Sequence, residues 1–198
     1  MERGPLGLMT PVVRAAAIAS GWALMAISFA TVFEIVARKL GYSLKSIDEL
    51  GGYVLAATSA IGFSWALVTR AHMRVTIVVN WLPRPARRLL DAVAMLSLAA
   101  MAVFCAARGY AEFSTNLMSG RPSNTPMQTP LWMPQAVWFA GLALFALCAA
   151  LAAIHAAWLL FVDGARLERL YGPQTLEEEV SAEVSDLDSR LASKGERP

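Results

Sequence analysis

The sequence predicts an all-α, polytopic membrane protein with four transmembrane helices, and two observations carry that prediction. The 198-residue chain is 57% hydrophobic and only 16% charged, with a mean hydropathy of +0.49, well to the apolar side of an average soluble domain. Uncharged stretches long enough to cross a hydrocarbon layer of about 30 Å as a helix also recur along it, separated by charged or proline-rich segments.

The clearest such stretch runs from Ser46 to Val75. It opens with Asp48 and Glu49 and closes with Arg70, His72 and Arg74, and the 20 residues from Leu50 to Thr69 carry no charge. It reads as a span over about residues 48–70. Gly52, Ala56, Ala60 and Ser64 recur at every fourth position within it. That spacing is expected to set small residues on one helix face, where another backbone can approach closely.

Before it, Arg3 and Arg14 precede an uncharged run from Ala15 to Phe33. The run is longer than the roughly 7–15 residues of a signal-peptide core, so it reads as an uncleaved first span over about residues 13–37. The cleavage-like Ser28, Phe29 and Ala30 keep a signal peptide as the alternative. Glu34 and Arg38 follow at i, i+4 spacing, which suits an ion pair on one helix face. Arg38, Lys39, Gly41 and Tyr42 mark the end of that helix.

After the central span, Trp81, Leu82, Pro83 and Pro85 interrupt the pattern, and Arg84, Arg87 and Arg88 add positive charge. A third span, about residues 87–112, is centred on the uncharged run from Ala92 to Ala107, bounded by Asp91 and Arg108. That run is short for a crossing unless the charged ends snorkel. A polar, turn-rich connection leads through Pro126, Pro130 and Pro134 into a fourth span, about residues 133–162, with Trp132 and Trp138 suited to an interfacial belt.

Charge gives orientation. The connection between spans two and three holds Arg70, Arg74, Arg84, Arg87 and Arg88, more than either neighbouring connection, and is expected on the cytoplasmic side. Four spans then put both termini in the cytoplasm. Residues 1–162 form the basic membrane domain, with 12 Lys or Arg against 6 Asp or Glu. Residues 163–198 form an acidic cytoplasmic tail with 5 against 9. Within the tail, Thr175 and Glu178 make a capping-box pattern ahead of Leu176, Val180, Val184, Leu187 and Leu191, which points to a short amphipathic C-terminal helix. A solvated tail is the alternative, since Ser, Glu and Asp dominate there.

Chemistry is sparse. Cys105 and Cys148 lie in apolar runs, where cysteine behaves as a small hydrophobe. The two histidines, His72 and His155, sit in different contexts and do not read as a haem or metal pair. No phosphate loop and no Ser, His and Asp set stands out. The expectation is a protein that is not an enzyme, has no cofactor or metal and binds no nucleic acid. Glu34 is the sharpest lone candidate, because an ionisable group in a span is a transport-site hypothesis; its neighbour Arg38 offers the structural alternative. Arg38, Glu49, Arg70, His72 and Arg74 read as helix-end anchors at the membrane surfaces, meeting lipid headgroups where they are basic. Acidic Asp48 and Glu49 also suit the positive end of a helix dipole.

Several of these residues resemble one family in order and spacing: Arg38 with Gly41, Asp48 and Glu49 opening span two, Gly62 within it, and Arg70, His72 and Val75 closing it. Leu82 and Pro83 continue the pattern, as do Thr125, Pro126, Pro130, Leu131 and Trp132 before span four. Together they resemble the small membrane subunit, DctQ-type, of tripartite ATP-independent periplasmic (TRAP) transporters, over roughly residues 14–160 of the sequence. Met73 departs from the branched aliphatic residue more usual in that family, and the acidic tail lies outside the match.

The resemblance implies a subunit of a bacterial inner-membrane, secondary-active transporter, driven by an ion gradient, usually sodium. A periplasmic solute-binding protein (P-type) captures the solute, commonly a carboxylate, and a large membrane subunit (M-type) moves it. The small subunit is implied to scaffold the large one rather than carry solute. Two other readings remain open from the residues: a self-sufficient small ion-coupled transporter using Glu34, and an auxiliary subunit of another membrane complex.

Overall fold

The computed structural model describes residues 6–42, 46–69, 83–125 and 127–171, with the further positions Ser181, Val184, Ser185 and Leu187. Their architecture is helical: α1 (Leu6–Lys39), α2 (Ile47–Val68), α3 (Arg84–Ser119), α4 (Trp132–Val162) and the short α5 (Gly164–Tyr171). The first four are long and apolar enough to cross a membrane. No strand occurs among the described residues, only an isolated bridge between Pro122 and Pro130.

Local chemistry fixes where the helices stop. α1 ends in a Schellman motif: Gly41 takes φ +91°, the Tyr42 N–H donates to the Ala37 carbonyl at 2.9 Å and the Gly41 N–H to Arg38 at 3.2 Å. Only a residue without Cβ adopts that left-handed backbone cheaply. α3 starts beside Pro83 and Pro85, which suit a first turn, and stops at Gly120, also left-handed, whose N–H caps the Asn116 carbonyl. Asp163 both ends α4 and opens α5, its Oδ1 accepting from the Arg166 N–H at 3.1 Å.

The four long helices stand in a row rather than a closed square. α1 packs on α2 and more lightly on α4, α2 packs on α4, and α4 on α3, while extended contact between α3 and either α1 or α2 is missing among the described residues. α4 therefore takes its main contacts from α2 and α3, and its composition explains how. Gly141, Ala146, Ala149, Ala152, Ala153 and Ala156 are buried along it, with Leu142, Phe145 and Leu159 filling the remaining space. In a membrane, where lipid tails are as apolar as leucine, close backbone approach through small residues replaces hydrophobic burial as the source of helix association. α3 answers with Ala92, Met95, Ala99 and Ala102, all buried, at the alternating three- and four-residue steps of knobs-into-holes packing. Gly109 continues that line, where a Cβ would meet Leu142, Trp138 and Phe139 of α4.

The row has two ends. The α1–α2 turn and the α3–α4 hairpin share one, called here the hairpin end. The other, the terminal end, holds the start of α1, the start of α3 and all of α5. There the buried Leu167 and Tyr171 turn one side of α5 onto α3 and α4. The Tyr171 hydroxyl lies 2.8 Å from His155 Nδ1, and Arg88 and Glu168 approach to 3.8 Å.

Two details differ from the sequence expectation. α3 runs on to Ser119, past the expected end near residue 112, because Phe113 stacks on Phe139 and Asn116 Nδ2 donates to Gln135 Oε1 at 3.0 Å. Polar residues did not stop the helix; Gly120 did. The chain also forms α5 directly after α4, inside the segment read as tail, since Leu167 and Tyr171 fall on one face at i, i+4 spacing. The capping-box segment at Thr175 and Glu178 lies outside the described residues, and Val184 and Leu187 are exposed.

Candidate assembly surfaces and the hairpin-end hub

The acidic pair that opens α2 organises the hairpin end. Neighbouring residues on a helix diverge by about 100°, so Asp48 and Glu49 face different partners. Asp48 approaches α1: its Oδ2 is 3.8 Å from Arg38 Nη2, which also donates to Glu34 Oε1 at 2.7 Å. Glu34 is only 1% exposed while the Arg38 side chain is 55% exposed. The guanidinium therefore caps a buried carboxylate from the water side. A buried ionised group is costly unless paired; the pair lies within α1, and the approach of Arg38 to Asp48 links the last turn of α1 to the first turn of α2.

Glu49 approaches the α3–α4 hairpin. The Tyr53 hydroxyl, one turn further along α2, donates to Glu49 Oε1 at 2.6 Å. Thr125, Thr129 and Ser123 of the hairpin lie near the same carboxylate, whose Oε2 is buried and makes no hydrogen bond. The hairpin is closed by the Ser123 N–H donating to Thr129 at 2.8 Å, Gln128 to Thr125 at 3.0 Å and Leu131 to Arg121 at 3.1 Å. Gln128 takes the left-handed φ of +50° at its turn. Sequence reading singled out Glu49 and Thr125 but not Ser123, Thr129 or Tyr53; the only available signal was the density of hydroxyls in the polar connection.

The four small residues of α2 do not share one face. Ala60 and Ser64 are buried against α4, whereas Gly52 and Ala56 are exposed. Steps of four residues overshoot a full helical turn by about 40° each, so the line winds about 120° around α2 between Gly52 and Ser64. The face left open on α2 carries Gly52, Ala56, Ser59 and Gly62 interleaved with Leu55 and Phe63. The open faces of α1 and α3 include Trp22, Phe29 and Phe33 on one, and Leu96, Met101 and Phe104 on the other.

Of the remaining expected anchors, Arg70, His72 and Arg74 lie outside the described residues. His155, given no role from sequence, packs between Trp158 and Tyr171. Among the described residues no group of three or more His, Cys, Asp or Glu gathers as a metal site.

A row of four membrane-length helices, bound through small residues and carrying polar contacts at both ends, defines a polytopic membrane protein built for lateral helix packing. Comparison with protein families places it further: residues 24–159 match the model described as "Tripartite ATP-independent periplasmic transporters, DctQ component". The chain belongs to the DctQ family, the small membrane subunits of TRAP transporters. No curated protein and no solved structure matched the chain.

Proposed function

We propose that this chain is the static small subunit of a secondary-active TRAP transporter, bound beside a large membrane subunit that moves the solute. Uptake is driven by an ion gradient, with sodium the ion the family resemblance favours and a carboxylate the favoured solute class. A periplasmic solute-binding protein delivers that solute. The complex lies in the bacterial inner membrane with the hairpin end outward and both termini in the cytoplasm. Arg84, Arg87, Arg88 and Arg166 at the terminal end favour that orientation by the bias of cytoplasmic segments toward positive charge.

The observation that carries the scaffold role is the open face of α2. There Gly52, Ala56, Ser59 and Gly62 are interleaved with the exposed Leu55 and Phe63, so small residues that allow close approach of another helix alternate with side chains that can fill its grooves. The large subunit packs here, extending the row sideways. Glu34, paired with Arg38 at the end of α1, then serves as a structural ion pair rather than a coupling site.

Substitutions that fill this face test the proposal. Gly52→Leu and Ala56→Leu should release the large subunit during purification in mild detergent, while Phe33→Leu on the open face of α1 leaves it bound. Retention of the large subunit by both α2 variants would contradict the assignment.

A further inference from the structure

We infer that α5 is a strap that fixes the terminal end of α3 against α4, and that Arg88 of α3, laid across Gly164, is its fastening. α3 stands at one edge of the row and, among the described residues, has extended contact only with α4 and α5. At the hairpin end, Asn116 with Gln135 and Phe113 with Phe139 tie it to α4. At the terminal end that task falls to α5. Leu167 is fully buried, in one hydrophobic cluster with Met95 of α3 and Leu159 of α4, and Tyr171 Oη lies 2.8 Å from His155 Nδ1. Gly164, Leu167, Glu168 and Tyr171 recur at three- and four-residue steps, so a single face of α5 meets both helices.

The fastening on the α3 side is a matter of space. A Cβ built on Gly164 would come within 2.7 Å of Arg88 Cδ, 2.9 Å of its Nε and 2.8 Å of its Nη1. The Arg88 side chain therefore passes directly over the bare backbone of the first residue of α5. Gly164 does not take a positive φ; what it contributes is the absence of a side chain. Arg88 Nε then lies 3.8 Å from Glu168 Oε1, one turn further along α5. That separation is too long for a hydrogen bond, and Nε is buried with no hydrogen-bond partner. Packing of the arginine stem across Gly164 holds the joint, and the partly exposed ion pair, screened by solvent, adds little.

The strap does not depend on the transporter assignment, and hydrogen exchange on the full chain in detergent tests it through the sign of one substitution. Alanine favours a helix over glycine, so Gly164→Ala would slow exchange in α5 if Arg88 played no part. With the strap in place the sign reverses: the new methyl expels Arg88, and the amides of Leu167 and Glu168 exchange about tenfold faster, as on losing one docked side chain. Arg88→Ala alone should accelerate them similarly, and in that background Gly164→Ala should slow exchange instead. Arg88→Met keeps the stem without the charge and should leave α5 protected. Leu167→Ala alters no residue of α3, yet it should speed exchange at Leu90 and Asp91 in the second turn of α3 while amides around Ala60 in α2 keep their protection. Slower α5 exchange in Gly164→Ala with Arg88 present, an α5 as unprotected in Arg88→Met as in Arg88→Ala, or unchanged exchange at Leu90 and Asp91 in Leu167→Ala would each overturn the inference.

Discussion

Gly141 of α4 lies so close to Ala60 of α2 that a Cβ placed on it would come within 2.9 Å of the Ala60 Cβ and 3.2 Å of the Ile61 nitrogen. Backbone, not a flexible side-chain tip, bounds that space, so neither residue can grow without moving a helix. Gly141→Val and Ala60→Leu should each destabilise the chain by about 1–3 kcal/mol, as overpacking of tight contacts does. A lowered midpoint of thermal unfolding in detergent would show it. Loss of the large subunit in Ala60→Leu would accordingly follow from damage to this chain's own core.

The turn between α1 and α2 depends on Gly41. At φ +91° a side chain meets open space but an unfavourable backbone conformation, costing about 1–2 kcal/mol. Gly41→Ala should lower stability by that amount and Gly41→Asn by less, because asparagine tolerates left-handed conformations better. Thermal unfolding of the two variants side by side checks the order.

Glu34 and Arg38 should behave unequally. Arg38→Ala strands a buried carboxylate, at a cost of about 1–3 kcal/mol or more for a charged group, whereas Glu34→Gln removes the charge and leaves Arg38 beside Asp48. The double variant should be more stable than Arg38→Ala alone. Glu34→Gln should also retain ion-driven uptake in the assembled transporter; its complete loss, with the complex intact, would make Glu34 a coupling group.

Asp163 should govern α5. As the N-cap acceptor for Arg166 it contributes about 1 kcal/mol, so Asp163→Ala should speed exchange at the amides of Arg166 and Leu167, and Asp163→Asn should largely restore it. Tyr171→Phe keeps the ring against His155 but removes the hydroxyl, and should loosen the same helix by about 1 kcal/mol.

The four membrane helices were legible because uncharged runs between charged residues are a one-dimensional property, and Arg14, Glu34, Asp48, Arg70, Asp91 and Arg108 bracket three of them. Helix ends were less legible. α3 continues through Glu112 and Asn116 because its partners Phe139 and Gln135 lie some twenty residues away, beyond any local pattern. The small-residue line on α2 was visible, but its division between an inner contact at Ala60 and an open face at Gly52 depends on the winding of the helix and on where α4 stands. Glu49 and the hairpin hydroxyls of Ser123 and Thr125 belong to separate elements, so residue spacing alone carried no sign that they lie near one another.

The scaffold role is tested most directly by purifying the chain from native membranes in mild detergent and weighing the intact complex by mass spectrometry. The expected result is one stable assembly in which a single, much larger polytopic subunit accompanies this chain. Recovery of the chain associated only with itself, and able to drive solute uptake alone after reconstitution, would contradict it.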